Sequence, residues 1–497
     1  MSLLKSRPGA VTFGLIGFLF LVELTSGILQ GYYVPLISDL VVHLGIRDAD
    51  FNWFEAAQLL LSALVVPILA KLGDMFGHKR ILLVSTIFTA GATWWLAFTG
   101  DFTSFLIAWA LQGFYVVWLP LEVALIFDRG RRTGVAASST RRAAAFLVVA
   151  LEAGAIIGAL AAGRLFKAFD GDITLTLMIP AIAVTLVFFA ILFGVPESEP
   201  LPGRSLDIVG FSILSLSLLL ITSGLTFLRI NGAETWWVYA IMAAGILLLI
   251  PWGRFELRQK DPAIDLRVLR QPNMWPVQLT AGLIGISLLG AQAPLSTFAG
   301  TDPVANGYGL GLDSENRSYL IGVYLVSLII GAVLFPLLSR VLTPRIALII
   351  AAFLVAFGYA LFLPFHDSVL QVFTNMIIAG IGCGALVGAL PSAAAAAAPR
   401  GQTGIATAMT NTTKTIGGSF ASGVFAVVLA AGVLQAAGSV ASSLSGYLIV
   451  FAICSGGALV AALLLFLVPK LAFSDESIVE GVAVAPGTAG ETATTSA

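Results

Sequence analysis

Ala70-Lys71-Leu72-Gly73-Asp74-Met75-Phe76-Gly77-His78-Lys79-Arg80 is the stretch on which the reading of this chain turns. It joins two long apolar runs, 52–71 and 81–99. Gly77 permits a tight turn, Asp74 can face a helix N-terminus, and Lys79 and Arg80 sit where cations are favoured at a cytoplasmic boundary. An ordinary basic loop would explain the positive charge but not the Asp-x-x-Gly spacing. The stretch reads as the turn of a hairpin of two membrane helices.

Working outward, the same alternation fills the chain. Of 497 residues, 58% are hydrophobic and only 11% charged, and the mean hydropathy is +0.98. Soluble domains carry about 25% charged residues, so this chain cannot cover itself in water. A crossing needs about 20 apolar residues with every backbone group paired internally. That rule gives fourteen spans: 11–38, 52–71, 81–99, 102–126, 143–165, 173–195, 206–228, 236–253, 275–298, 318–341, 345–364, 368–391, 411–434 and 445–469. The first run follows Lys5 and Arg7 but is too long for a signal peptide and reads as a retained span. The tail after Lys470, small and Thr/Ala-rich, reads as disordered.

Charge predicts the orientation. With the N-terminus inside, twenty of the 26 Lys and Arg fall on the cytoplasmic side; five fall opposite, Arg47, Arg164, Lys167, Arg229 and Arg317, and Lys414 lies within a span. Both termini are then cytoplasmic in a plasma (inner) membrane protein. A net charge of -1 argues against a nucleic-acid partner. Cys383 and Cys454 read as small buried hydrophobes, and His43, His78 and His366 are too scattered for a metal site. No cofactor is implied.

One stretch recurs. Arg129-Gly130-Arg131-Arg132-Thr133-Gly134-Val135-Ala136 is echoed by Arg400-Gly401-Gln402-Thr403-Gly404-Ile405-Ala406, and a similar offset carries Pro67 onto Pro336. A duplicated six-helix unit explains the offset. The expected organisation is a six-helix half over 1–200, two inserted helices over 201–270, a second six-helix half over 271–470 and a disordered cytoplasmic tail over 471–497.

The Ala70-to-Arg80 loop resembles the signature Gly-x-Leu-Ala-Asp-Arg-x-Gly-Arg-Lys of the major facilitator superfamily, with Ala70 for the first glycine and Met75 for the arginine. Val195-Pro196-Glu197 resembles the close of that family's sixth helix. Glu256-x-Arg258 with Pro262-Ala263-Ile264-Asp265-Leu266-Arg267, and Asn411-x-x-Lys414-x-x-Gly417-Gly418, resemble its fourteen-helix drug:proton antiporter branch. The resemblance implies an all-α membrane protein of the major facilitator fold, two six-helix halves plus two inserted helices, with Asp74, Gly77, Lys79 and Arg80 in a gating loop. Two features depart from the branch. Trp109 stands where an intramembrane arginine precedes Leu111-Gln112-Gly113. Gly154-x-x-x-Gly158-Ala159 lacks the proline of the antiporter helix, although its glycines allow close packing.

Ionisable groups at mid-bilayer cost about 2.5–3.5 kcal/mol on insertion scales, so each needs a reason. Glu23 in span 1 and Glu152 in span 5 are the candidates for proton or substrate coupling. Glu55, near the end of span 2, reads as hydrated. Glu122 and Asp128 read as partners of the basic loops with a gating role, and Lys414 as a lysine snorkelling to the interface. The cavity candidates are Gln30, Trp109, Gln112, Tyr115 and Gln292; Tyr32, Tyr33 and Trp118 fit an interfacial aromatic belt. Gln278 and Pro294 complete the polar and breaking groups of span 9.

The expected protein is a monomeric secondary transporter, not an enzyme. It would export small organic or drug-like compounds by alternating access, with protons as a coupling partner. A metabolite importer or facilitator of the same superfamily is the alternative. A non-transporting receptor or scaffold would show a sizeable soluble domain, and no loop is long enough to fold one.

Overall fold

The computed structural model describes residues 13–132, 136–198, 206–231, 234–259, 262, 264–397, 403–431 and 441–468; the side chains of 13, 127–132, 136–145, 229–230, 395–396 and 403–408 lie outside the description. The tail expected at 471–497, the side chain of Asp128 and the side chains of the echoed loops therefore lie outside it.

Among the described residues, fourteen helices are long and apolar enough to cross a membrane. Spans 1 to 6 are Gly14–Leu44, Asp48–Phe76, His78–Phe98, Phe102–Ile126, Phe146–Ala168 and Ile173–Gly194; spans 7 and 8 are Ile208–Leu228 and Trp236–Glu256. Spans 9 to 14 are Trp275–Gly300, Ser314–Val341, Pro344–Leu361, Val369–Ala394, Met409–Ala431 and Leu444–Leu465. Several of them start on a side chain that accepts an otherwise orphaned amide N–H, among them Asp101, Asp172, Asp207, Asp313, Thr343 and Ser443. Large apolar residues such as Leu186, Phe193, Leu247 and Leu337 are exposed along the outside of the bundle, the surface that hydrocarbon would cover.

The packing repeats. Span 1 lies on span 5 as span 9 lies on span 13; span 3 lies on span 6 as span 11 lies on span 14. Span 2 crosses to span 13, and span 10 crosses to span 5, so the two sets of six meet along two equivalent seams. Lys79 Nζ donates to the carbonyl of Leu192 at the end of span 6, and Arg345 Nε donates to that of Leu465 at the end of span 14 (2.8 and 3.2 Å). The 1–5 contact is close because its glycines alternate. A Cβ on Gly27 would strike the Leu151 carbonyl, and one on Gly154 the Leu24 carbonyl. Spans 7 and 8 pair with each other and lie along the 2–13 seam, where Leu60 packs with Leu214, Leu218 and Trp252, and Trp53 with Leu225 and Ala426.

Three spans are irregular. A 3₁₀ turn at Val34–Leu36 breaks span 1, another at Gly113–Val117 breaks span 4, and a π turn at Ile286–Gly290 breaks span 9. Such turns free backbone groups and commonly mark functional segments. Span 2 is longer than its apolar run, so Asp74 lies in its last helical turn rather than in a loop.

Candidate functional site

Span 1 starts and span 14 ends at one face of the bundle, here the terminal face; the opposite one is the distal face. Midway between them, the first six spans enclose a polar cluster. Glu23, Gln112 and Glu122 are fully buried, and Glu55, Gln58, Tyr33 and Tyr115 nearly so. Gln58 Nε2 donates to Gln112 Oε1 at 3.2 Å, and Gln112 Nε2 donates to the Tyr33 hydroxyl at 2.7 Å and to Thr93 Oγ1 at 3.2 Å. The 3₁₀ turn brings the backbone of span 4 against span 2, where Ser62 Oγ donates to the Gly113 carbonyl at 3.0 Å. Tyr115 lies within electrostatic reach of Glu55, Tyr33 and Glu23, and Glu122 within reach of Glu23. None of the four oxygens of Glu23 and Glu122 has a hydrogen-bond partner.

This cluster corrects several expectations. Glu122 is not a solvated partner of the basic loops; it turns inward to Glu23. Glu55 is buried rather than hydrated. Tyr32, Tyr33 and Trp118 are not belt residues: all are buried, Tyr32 donates to the Thr176 carbonyl and Trp118 to Ser85 Oγ. Trp109 does not line an open cavity. It is packed among Tyr33, Phe51 and Phe105, with ring centroids 5.0, 5.2 and 5.6 Å away. Gln112 and Tyr115 are buried scaffold rather than open lining, and Gln292 is half-buried, donating to its own helix at the Leu288 carbonyl. Gln30 alone of the five cavity candidates is exposed. It follows Glu23 by two helical turns and so shares its inward face, while exposed Leu21 lies on the opposite side of the helix.

Nearer the terminal face, Glu152 of span 5 and Lys414 of span 13 lie within electrostatic reach of each other, one from each set of six. Lys414 therefore faces an acid across the bundle instead of snorkelling. Gln278 holds the neighbouring part of span 13, donating to Thr410 Oγ1 at 3.2 Å and accepting from Thr413 Oγ1 at 3.3 Å.

At the distal face the two sets are tied together. Arg317 Nη2 donates to Asp39 Oδ2 at 2.5 Å, with the Arg317 side chain only 3% exposed. The Tyr447 hydroxyl lies 2.9 Å from both Asp48 Oδ2 and Thr297 Oγ1. Ser296 Oγ donates to the Val34 carbonyl in the 3₁₀ turn, which also accepts the Ile37 N–H, and Lys167 pairs with Glu315 at 2.8 Å. Tyr308, in the loop before span 10, donates to the Ser442 carbonyl; burial, with Asp48 nearby, pushes its hydroxyl up to about 12, so it remains a donor at neutral pH.

The Ala70-to-Arg80 stretch sits at the terminal face, and the contacts described for it are with its own residues and with the segment that follows span 6. Asp74 Oδ1 is 3.3 Å from His78 Nε2. The Ser198 hydroxyl accepts the His78 amide N–H at 2.8 Å and Glu197 Oε1 that of Lys79 at 3.0 Å, while Arg80 Nε lies 3.5 Å from Glu197 Oε2. Gly77 has φ 102°, which favours glycine, and a Cβ there would lie 2.6 Å from Glu197 Oε1, so the carboxylate would have to move aside. Sequence reasoning missed Asp39, Asp48, Gln58, Arg317 and Tyr447. Arg317, one of only five cations assigned to the distal side, carried a usable signal.

A family model described as Major Facilitator Superfamily matches residues 19–422. A triacylglyceride transporter of Mycobacteroides abscessus is 26% identical over 412 residues, covering 77% of this chain and 76% of that protein. The uncharacterized MFS-type transporter YfiU of Bacillus subtilis is 25% identical over 458 residues, covering 89% and 83%. Among solved structures, an auto-inhibited POT family peptide transporter aligns with TM-score 0.65 and 14% identity, covering 91% of this chain and 96% of that one. The human organic anion transporter MFSD10 aligns with TM-score 0.60 and 16% identity, covering 93% and 100%. These two likenesses show the fold.

Proposed function

Because the chain belongs to the major facilitator superfamily, a family of membrane transporters and not of enzymes, we propose that it exports small amphipathic organic compounds, drug-like molecules among them, by alternating access. In this reading the protein works as a monomer in the plasma membrane with both termini cytoplasmic, so the distal face is the outer one. Protons are exchanged for cargo through Glu23 and Glu152. The cross-bundle contacts carry the proposal: polar ties join the two sets at the distal face, while buried acids lie between it and the terminal face. That arrangement suits a cycle in which one end opens as the other closes. The drug:proton branch, suggested by the sequence around Lys414, belongs to the same proposal.

Transport of dyes into proteoliposomes with and without an imposed proton gradient tests it. Glu23→Gln and Glu152→Gln should each abolish gradient-driven movement while leaving a folded protein. Unchanged coupling in both would refute the proton role, and cargo counterflow independent of pH would favour the importer or facilitator.

A second reading, lipid export, is favoured by relatives named triacylglyceride transporters and by an apolar groove of about 410 Å³ on the outside of spans 2 and 7, lined by residues such as Ile68, Phe211 and Leu219. Transfer of a labelled triacylglyceride between vesicle populations, absent for dyes, would select it.

A further inference from the structure

We propose that Glu23 and Glu122 form one proton-binding unit, a carboxyl pair between spans 1 and 4 that binds and releases protons in two linked steps. The proposal rests on the proton-exchange reading above and adds to it a residue from the expected gating group. Glu23 lies within Phe13–Tyr32 of span 1 and Glu122 within Trp118–Arg132 of span 4; these two helices touch, and the charge of Glu23 acts on Glu122. Both side chains are fully buried, and all four oxygens lack a hydrogen-bond partner.

A buried carboxylate is tolerated when donors or a cation satisfy it. Here no cation acts on either acid among the described residues; the only charged group acting on Glu122 is Glu23. Two like charges at such a site cannot both persist, so the pair must take up protons, and each step depends on the other. The surrounding titratable groups come from several elements. Span 1 supplies Tyr33, span 2 Glu55 and, nearer the terminal face, Lys71; span 4 supplies Tyr115. Span 6 has no ionisable side chain, and span 3 has them only at its terminal end, His78, Lys79 and Arg80. Span 5 brings Glu152, whose electrostatic partner is Lys414. The Glu23–Glu122 pair and the Glu152–Lys414 pair are therefore distinct: the first gains charge only by losing protons, the second is internally compensated.

Infrared titration of the protonated-carboxyl band of the purified, detergent-solubilised protein tests the pair without any cargo. The native protein should show two steps separated by about 1–3 pH units, the reach of a close like charge. Glu122→Gln should collapse them to one, Glu23→Gln should do the same, Glu122→Asp should restore two, and Glu55→Gln should leave them separate. Independent steps that keep their midpoints in the single variants would overturn the pairing, as would replacement of the pH dependence by dependence on added sodium. Should Glu122→Gln fail to fold, the Glu122→Asp and Glu23→Gln titrations decide. If the pair titrates as described but no pH gradient drives transport, the proton-exchange reading fails while the pairing stands.

Discussion

The two ends of the bundle are built from the same kinds of side chain and used differently. At the terminal face, Asp74, His78, Lys79, Arg80, Glu197 and Ser198 make contacts with one another, within spans 2 and 3 and the segment that follows span 6. At the distal face, Asp39, Asp48 and Lys167 of the first six reach Arg317, Tyr447 and Glu315 of the last six. Ties inside one set survive any rocking of the two sets, whereas ties between sets must break for the distal face to open. The same ion-pair chemistry is thus scaffold at one end and latch at the other.

Arg317→Gln should break that contrast most severely. It leaves Asp39 without the guanidinium that donates to it and removes a cation that acts on Asp48, at about 2–5 kcal/mol for truncating one member of a buried pair. Against a two-state equilibrium, even 2 kcal/mol is roughly a thirtyfold shift toward a distally open form. A cysteine introduced at buried Ala299 should then react with a membrane-impermeant thiol reagent, since native Cys383 and Cys454 are both buried. Continued protection of that cysteine would show that the distal ties are not a latch.

Gly77→Ala should cost about 1–3 kcal/mol through its positive φ and its clash with Glu197. The loss should appear in thermal stability, with labelling at Ala299 unchanged; a labelling change would mean that the two ends are coupled. Tyr447→Phe should cost about 1–2 kcal/mol, because it strips Asp48 and Thr297 of a buried hydroxyl, and should raise labelling at Ala299 modestly. Glu197→Gln is the smallest. Its Arg80 contact is long and largely exposed, worth under about 1 kcal/mol, and the amide can still accept from the Lys79 N–H. A large destabilisation there would mean that the loop depends on charge rather than on capping.

Much of this was legible before any coordinates. The span count follows from the length of apolar runs, because lipid imposes one helix per crossing. Asp-x-x-Gly was legible as a turn because only glycine holds the backbone at Gly77. Glu23 and Glu152 stood out because charge inside an apolar run is costly. Which neighbour each acid meets was not legible. Glu122, only a few residues from a basic loop, looked solvated, and helix rotation alone turns it to Glu23. Asp39 and Arg317 are 278 residues apart, and no local pattern relates them. Asp74 was misplaced because polar residues continue the helix of span 2 beyond its apolar stretch.

The amino-acid sequence by itself determined that the chain crosses a membrane fourteen times as a duplicated six-helix unit with a hairpin added, since burial of backbone in hydrocarbon depends on composition and length alone. Tertiary structure decided the remainder: which acids face each other, which are matched by a lysine across the bundle, and which side chains tie the two sets together at the distal face. Those are questions of helix depth, rotation and contact between segments hundreds of residues apart, and electrostatic energy depends on separation in space rather than along the chain.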